Sequence, residues 1–115
     1  MGSRFEHRFK MTVSTTNERV TIEVVGDFDR ASVKEFEEAA RQQMTGESVV
    51  VADVSGSSLI ASSALAAIVR LHRTADERDG RFEVLIGPDY QQRLFDIAGL
   101  SGYLNFAEGR PRADC

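Results

Sequence analysis

The chain has 115 residues, 42% hydrophobic and 28% charged, with 18 acidic residues against 14 Lys and Arg and a formal net charge of −4. That length suits one domain around one core, and no apolar run approaches the roughly 20 residues that span a bilayer. No Lys/Arg cluster offers the basic surface that nucleic-acid binding requires. The single cysteine, Cys115, excludes an internal disulfide and, with no motif around it, reads as a tail residue.

Residues 1–9, MGSRFEHRF, lack the continuous apolar stretch of a signal peptide, so a cytoplasmic protein is expected. One domain is expected over 1–115, with a core over about 8–108 and flexible ends. Phe9, Met11 and Val13 alternate along 8–13, and Val20, Ile22 and Val24 alternate along 19–25. With Ser14 to Glu18 as the turn, these segments predict a hairpin. After Gly26, Ser32-Val33-Lys34-Glu35 has the S-x-x-E form of a capping box, and Val33, Phe36 and Ala40 follow at helical spacing. The spacing predicts a helix over 33–43.

Val49, Val50 and Val51 form a continuous apolar run, the signature of a central strand covered on both faces, here predicted over 49–53. A polar turn ending in Ser62 and Ser63 follows, and Leu65, Ile68, Val69 and His72 then share one face of a second helix, with Gly80 as its C-terminal cap. Phe82 to Ile86 reads as a strand parallel to 49–53 through a right-handed crossover. Asp89 caps a short helix that runs to Ala98 and stops at Gly99, and Tyr103 to Phe106 is a candidate edge strand.

The paired serines carry the chemistry. A helix start presents unpaired backbone N–H groups and a partial positive charge, both suited to an anion or phosphoryl group. On spacing alone, Ser62 is better explained as the N-cap of the second helix, accepting from a backbone N–H near Leu65. Asp53 ends the central strand, where it can meet a ligand or bond the following turn, and Asp29 has the place of a cap or turn residue. His72 has no second His or Cys at ligand spacing and reads as packed, so no metal is expected. A Ser62–His72–Asp29 triad fails, because ten residues along one helix separate Ser62 and His72 by about 15 Å. No phosphate-cradling glycine loop is present. Neither an enzyme nor a bound cofactor is expected.

Asp53-Val54-Ser55-Gly56, followed by Ser57 to Leu65, resembles the STAS domains of anti-sigma factor antagonists, whose pattern at this place is roughly D-L-S-G-x-x-x-I-D-S-S-G-L. Gly26-Asp27-Phe28-Asp29 is similar to that family's G-E-L-D turn, and Leu94 to Leu100, LFDIAGL, to its last helix and following G-L. The resemblance implies an α/β fold, a small mixed sheet with helices mainly on one face. It also implies a partner, an anti-sigma factor that is a serine kinase, and makes Ser62 the phosphorylated serine, with Ser63 the alternative. The face that meets the partner would comprise Asp29, Asp53, Ser55, Gly56, Ser58, Ala61, Ser62, Ser63 and Ala64.

Two departures fall inside the motif: Ala61 stands where the family has aspartate, and Ala64 where it has glycine. The first removes an acceptor and a charge beside Ser62. It favours the second reading of the chain, a STAS-like subunit that docks on a transporter or signalling assembly without phosphorylation. The second strengthens the helix by about 1 kcal/mol.

Overall fold

The computed structural model describes residues 9–87 and 89–107. The alternating, β-branched opening of the chain forms two antiparallel strands, β1 (Phe9–Thr16) and β2 (Arg19–Phe28), paired from Phe9↔Gly26 to Thr16↔Arg19. The strands run further than the alternation predicts. Only Asn17 and Glu18 turn, both at positive φ (51° and 66°), the conformation of a two-residue hairpin whose twist matches its strands.

Helix α1 (Arg30–Gln43) starts three residues before the predicted position. Its N-cap is Asp29, whose carboxylate accepts from Ala31 N–H at 3.1 Å. Ser32 completes the capping box from the third helical position, its Oγ accepting from Asp29 N–H at 3.0 Å. The predicted box of Ser32 with Glu35 is therefore displaced: an aspartate at the turn outcompeted a serine already inside the first turn.

Strand β3 (Val49–Ile60) runs parallel to β2, helix α2 (Ser62–Glu77) follows, and β4 (Arg81–Leu85) lies parallel to β3 on its other side. The sheet order is β1-β2-β3-β4. Helix α2 ends in paired turns, Asp79 N–H to Asp76 O (3.2 Å) and Gly80 N–H to Ala75 O (2.8 Å). The left-handed residue there is Asp79 (φ 58°), one place before the predicted Gly80. Helix α3 (Asp89–Ile97) closes in the same way on Gly99 (φ 77°), as predicted. The predicted strand at 103–106 reduces to one bridge, Val84↔Phe106, on the outer edge of β4.

Helices α1 and α2 pack against each other and on one face of the sheet, burying Ile22, Val24, Val50, Ala52, Val54, Phe82 and Val84 under Phe36, Ala40, Ala64, Ile68 and Leu71. Phe28 meets Phe36 edge-on at 4.8 Å between ring centres, a geometry that adds to the burial of both rings. Phe95 of α3 joins the same core and meets Phe106 edge-on at 5.7 Å. On the opposite face of the sheet Glu83 accepts from both Arg19 (2.7 Å) and Arg81 (2.6 Å). Across the helix pair, Arg70 grips Glu37 with two hydrogen bonds of 2.9 and 2.8 Å. No helix among the described residues is long and apolar enough to cross a membrane.

Candidate functional site at the start of helix α2

The segment read as a polar turn between strand and helix continues β3 instead. From Asp53 to Ile60 the strand takes seven residue steps while β2 takes five from Glu23 to Phe28, with register shifts between Glu23 and Val25 and between Gly26 and Asp27. Two extra residues are thus absorbed as bulges, devices that re-aim a strand next to a site. The small residues Ser55, Gly56, Ser57 and Ser58 permit this: Gly56 lies where a Cβ would meet Val25 Cγ2 at 3.2 Å. Ser57 is buried, with its hydroxyl on Val24 O at 3.3 Å.

At the far end of β3, Phe28 pairs with Ile60, and Ala61 N–H donates to Phe28 O at 3.0 Å. This bond sets two helix starts side by side. Asp29 caps α1; Ala61 occupies the same position on α2, extended at φ −78° and ψ 163°, with no side-chain acceptor. Ser62 and Ser63 are the first and second residues of α2, so the reading of Ser62 as N-cap is corrected. The cap position falls to Ala61, whose carbonyl accepts from Ala64 N–H (2.9 Å) and Leu65 N–H (3.1 Å).

Ser62 is exposed, whereas Ser63 is half-buried and Ala64 fully buried against the core. Neither serine hydroxyl has a hydrogen-bond partner among the described residues, and neither backbone N–H does. The exposed hydroxyl therefore stands over two free donors at the positive end of a 16-residue helix.

The predicted face is only partly drawn together. Ser58, Ala61, Ser62, Ser63 and Ala64 share this end of the sheet with the backbone of Asp29, whose carboxylate is committed to its own helix. Ser58 Oγ reaches Asp27 Oδ1 at 3.4 Å. Asp53 lies five ladder steps down the strand from Ile60, roughly 17 Å at about 3.3 Å per step. Its Oδ1 accepts from Ser55 N–H (3.0 Å) and Ser55 Oγ–H (2.6 Å), closing the local turn bond that spacing allowed for it. His72 packs in the protein as expected, buried with its ring 4.7 Å from that of Tyr103.

Sequence reading missed Tyr90 and Gln91. Gln91 is completely buried, donating from Nε2 to Val54 O (3.0 Å) and Ser57 O (3.1 Å) while Oε1 accepts from Gly87 N–H (2.9 Å). Tyr90 Oη–H donates to Ser57 O at 2.6 Å. These bonds satisfy carbonyls that the bulged half of β3 presents where β4 has ended. The available signal was a glutamine on the apolar stripe shared with Leu94 and Phe95. Gly87 allows the close approach, since a Cβ there would lie 2.9 Å from Ser55 Cβ.

Comparison with known proteins agrees with this fold. The profile of a family described as "Mlab, STAS domain" matches residues 11–105. Among solved structures, the chain is similar to an anti-sigma factor antagonist from Mycobacterium paratuberculosis (TM-score 0.76, 17% identity, 88% of this chain and 86% of that one). It is similar also to the anti-sigma factor antagonist SpoIIAA in its unphosphorylated form (0.68, 19%, 87% and 88%). A third likeness is to the Bacillus cell fate determinant SpoIIAA in its phosphorylated form (0.64, 20%, 87% and 91%). At these identities the likeness is one of fold. No curated protein matches the sequence.

Proposed function

The chain belongs to the STAS domain family, and from that premise we propose that it is a non-enzymatic, cytoplasmic regulator of the anti-sigma factor antagonist kind, binding an anti-sigma factor with serine-kinase activity. The docking face is the end of the sheet formed by Ser58 and Ala61 to Ala64, extended along β3 through Gly56 and Ser55 towards Asp53 and flanked by Asp29. The observation that carries this reading is the exposed Ser62 hydroxyl on the first turn of α2, above two free N–H groups. The fold shared with SpoIIAA, solved in unphosphorylated and phosphorylated forms, supports it.

The switch follows from electrostatics. Unmodified, this corner has small side chains, so a partner can approach the backbone closely. A phosphate on Ser62 adds about −1.5 to −2 charges. The helix start tolerates that charge, because the macrodipole and the free donors favour an anion there. The fold therefore stays intact while the docking face becomes charged, and a partner surface that is acidic or apolar is repelled.

Peptide mass spectrometry of the protein from its native cells tests the assignment: phosphate on Ser62, with Ser63 unmodified, is expected. Ser62→Asp should abolish binding to the kinase partner while leaving the melting temperature within about 2 °C, because a helix start accepts a carboxylate. A Ser62→Asp protein that still binds overturns the switch.

Ala61 favours a second reading. Without the carboxylate beside Ser62, the same face serves as a constitutive docking surface on a transporter or signalling assembly. Unmodified Ser62 under all growth conditions, with a stable partner bound, distinguishes this from the first reading.

A further inference from the structure

Three of the large apolar side chains most exposed among the described residues, Leu59 (48%), Tyr90 (48%) and Ile97 (79%), meet in one place. With Ile60 and Leu94 they line an open groove of about 580 Å³ between the end of β3 and helix α3. Apolar surface gathered in this way on a small soluble domain marks an interaction site, whereas single exposed side chains do not.

The groove's walls restrict what can fill it. Strand β4 pairs with β3 only as far as Asp53↔Leu85, so the later part of that edge has no strand beside it among the described residues. An added strand would need its carbonyls, but those of Val54 and Ser57 are already taken by Gln91 and Tyr90. A helix satisfies its own backbone and needs none of them. The opposite wall suits one: Tyr90, Leu94 and Ile97 stand at i, i+4 and i+7 on α3, a ridge of about 10 Å over two turns, against which the matching ridge of a second helix can pack. Among the described residues, the only charged one lining the groove is Arg93, which is exposed and without an ion pair there.

We propose that this groove seats an amphipathic α-helix of a partner protein, with apolar residues at i, i+4 and i+7 and a carboxylate that meets Arg93. Hydrophobic burial supplies the affinity and the Arg93 charge fixes orientation and selects an acidic helix over a basic one. Ile60 lies two residues from Ser62, so one partner spans the groove and the serine. The inference rests on the docking reading above for that last point alone.

The test titrates two synthetic, helix-stabilised peptides into isotope-labelled full-length protein. Both carry the same leucine stripe; one places Glu and the other Lys opposite Arg93. The Glu peptide should bind about tenfold or more tightly than the Lys peptide, with amide shifts concentrated at 58–60 and 90–97. Arg93→Glu should invert that preference, and Ile97→Glu should weaken the Glu peptide about tenfold or more. Both side chains are exposed, so melting curves of the variants should match the parent. Lack of saturable binding, equal affinity for both peptides that Arg93→Glu does not change, or shifts centred elsewhere would each overturn the proposal. So would binding of phosphatidylcholine vesicles through the same residues in place of either peptide, which would make the groove a lipid seat. The titration involves no kinase and no phosphate, so failure of the Ser62 switch and failure of the groove are read separately.

Discussion

Replacing Ala61 by aspartate should stabilise the protein, although the substitution adds an acid to a chain already at −4. Ala61 has the extended backbone of an N-cap, φ −78° and ψ 163°, and needs no rearrangement to present a side chain to the first turn. Two N–H groups there, of Ser62 and Ser63, have no partner among the described residues. An acceptor at N-cap contributes about 1 kcal/mol over alanine. A carboxylate at that end adds about 0.3–1 kcal/mol more at low ionic strength through the helix dipole. Together these correspond to a rise of about 4–8 °C in melting temperature for a domain of this size. Urea denaturation of Ala61→Asp and Ala61→Asn separates the two contributions. Both variants should gain the capping increment, only Asp the charge increment, and about 0.5 M salt should close most of the gap between them. If neither variant raises the midpoint, the free N–H groups are already well satisfied and the account of this helix start is wrong.

Three further outcomes follow from single contacts. Asp79→Gly should stabilise by about 1 kcal/mol in urea melts, because Asp79 holds φ 58° at the end of α2, a conformation glycine adopts without strain. Gln91→Leu should cost about 2–3 kcal/mol by the same measurement, since it strips partners from Val54 O and Gly87 N–H and one donor from Ser57 O inside the protein. The Arg70 hydrogen bonds hold the Glu37 carboxyl below its ordinary pKa, outweighing the opposing effect of burial, and Arg41 assists. A folded-state value below the unfolded one gives stability that is fully present above the unfolded value and lost as pH falls through the folded one. Glu37→Gln should therefore be about 0.5–1 kcal/mol less stable than the parent at pH 7, with the difference disappearing in acid titrations of stability.

Much of the fold was legible along the chain because it depends on local periodicity. Alternation at Val20, Ile22 and Val24 marked β2, the Val49–Val51 run marked the centre of the sheet, and Phe36 and Ala40 marked the face of α1 that fills the core, whereas of the stripe read on α2 Ile68 and His72 are buried and Leu65 and Val69 lie half-buried at its margin. The serine pair was legible in the same way, as polar residues just before an apolar helical stripe. Where two local rules competed, tertiary structure decided. Ser32 and Asp29 each had the form of a cap, and the chain direction leaving β2 gave the position to Asp29. Ser62 looked like a cap until the Phe28–Ile60 pairing carried β3 on to Ile60 and left Ala61 at that place.

The long-range features had no local signature. The serine- and glycine-rich stretch from Ser55 to Ser58 reads as a turn in isolation, because such residues gain little from forming a strand by themselves. It extends β3 because β2 on one side and the side chains of Tyr90 and Gln91 on the other satisfy its backbone. The apolar groove is likewise invisible in sequence: Leu59 and Ile97 are 38 positions apart and unremarkable until α3 is laid beside the end of β3. Sequence by itself determined the centres of β2, β3, β4 and the three helices and which serines start α2, since hydrogen bonding and burial within a few residues set those. Only the tertiary structure decided which residue caps each helix and what surrounds Ser62, because a backbone group buried by folding must find its partner wherever the packed chain supplies one.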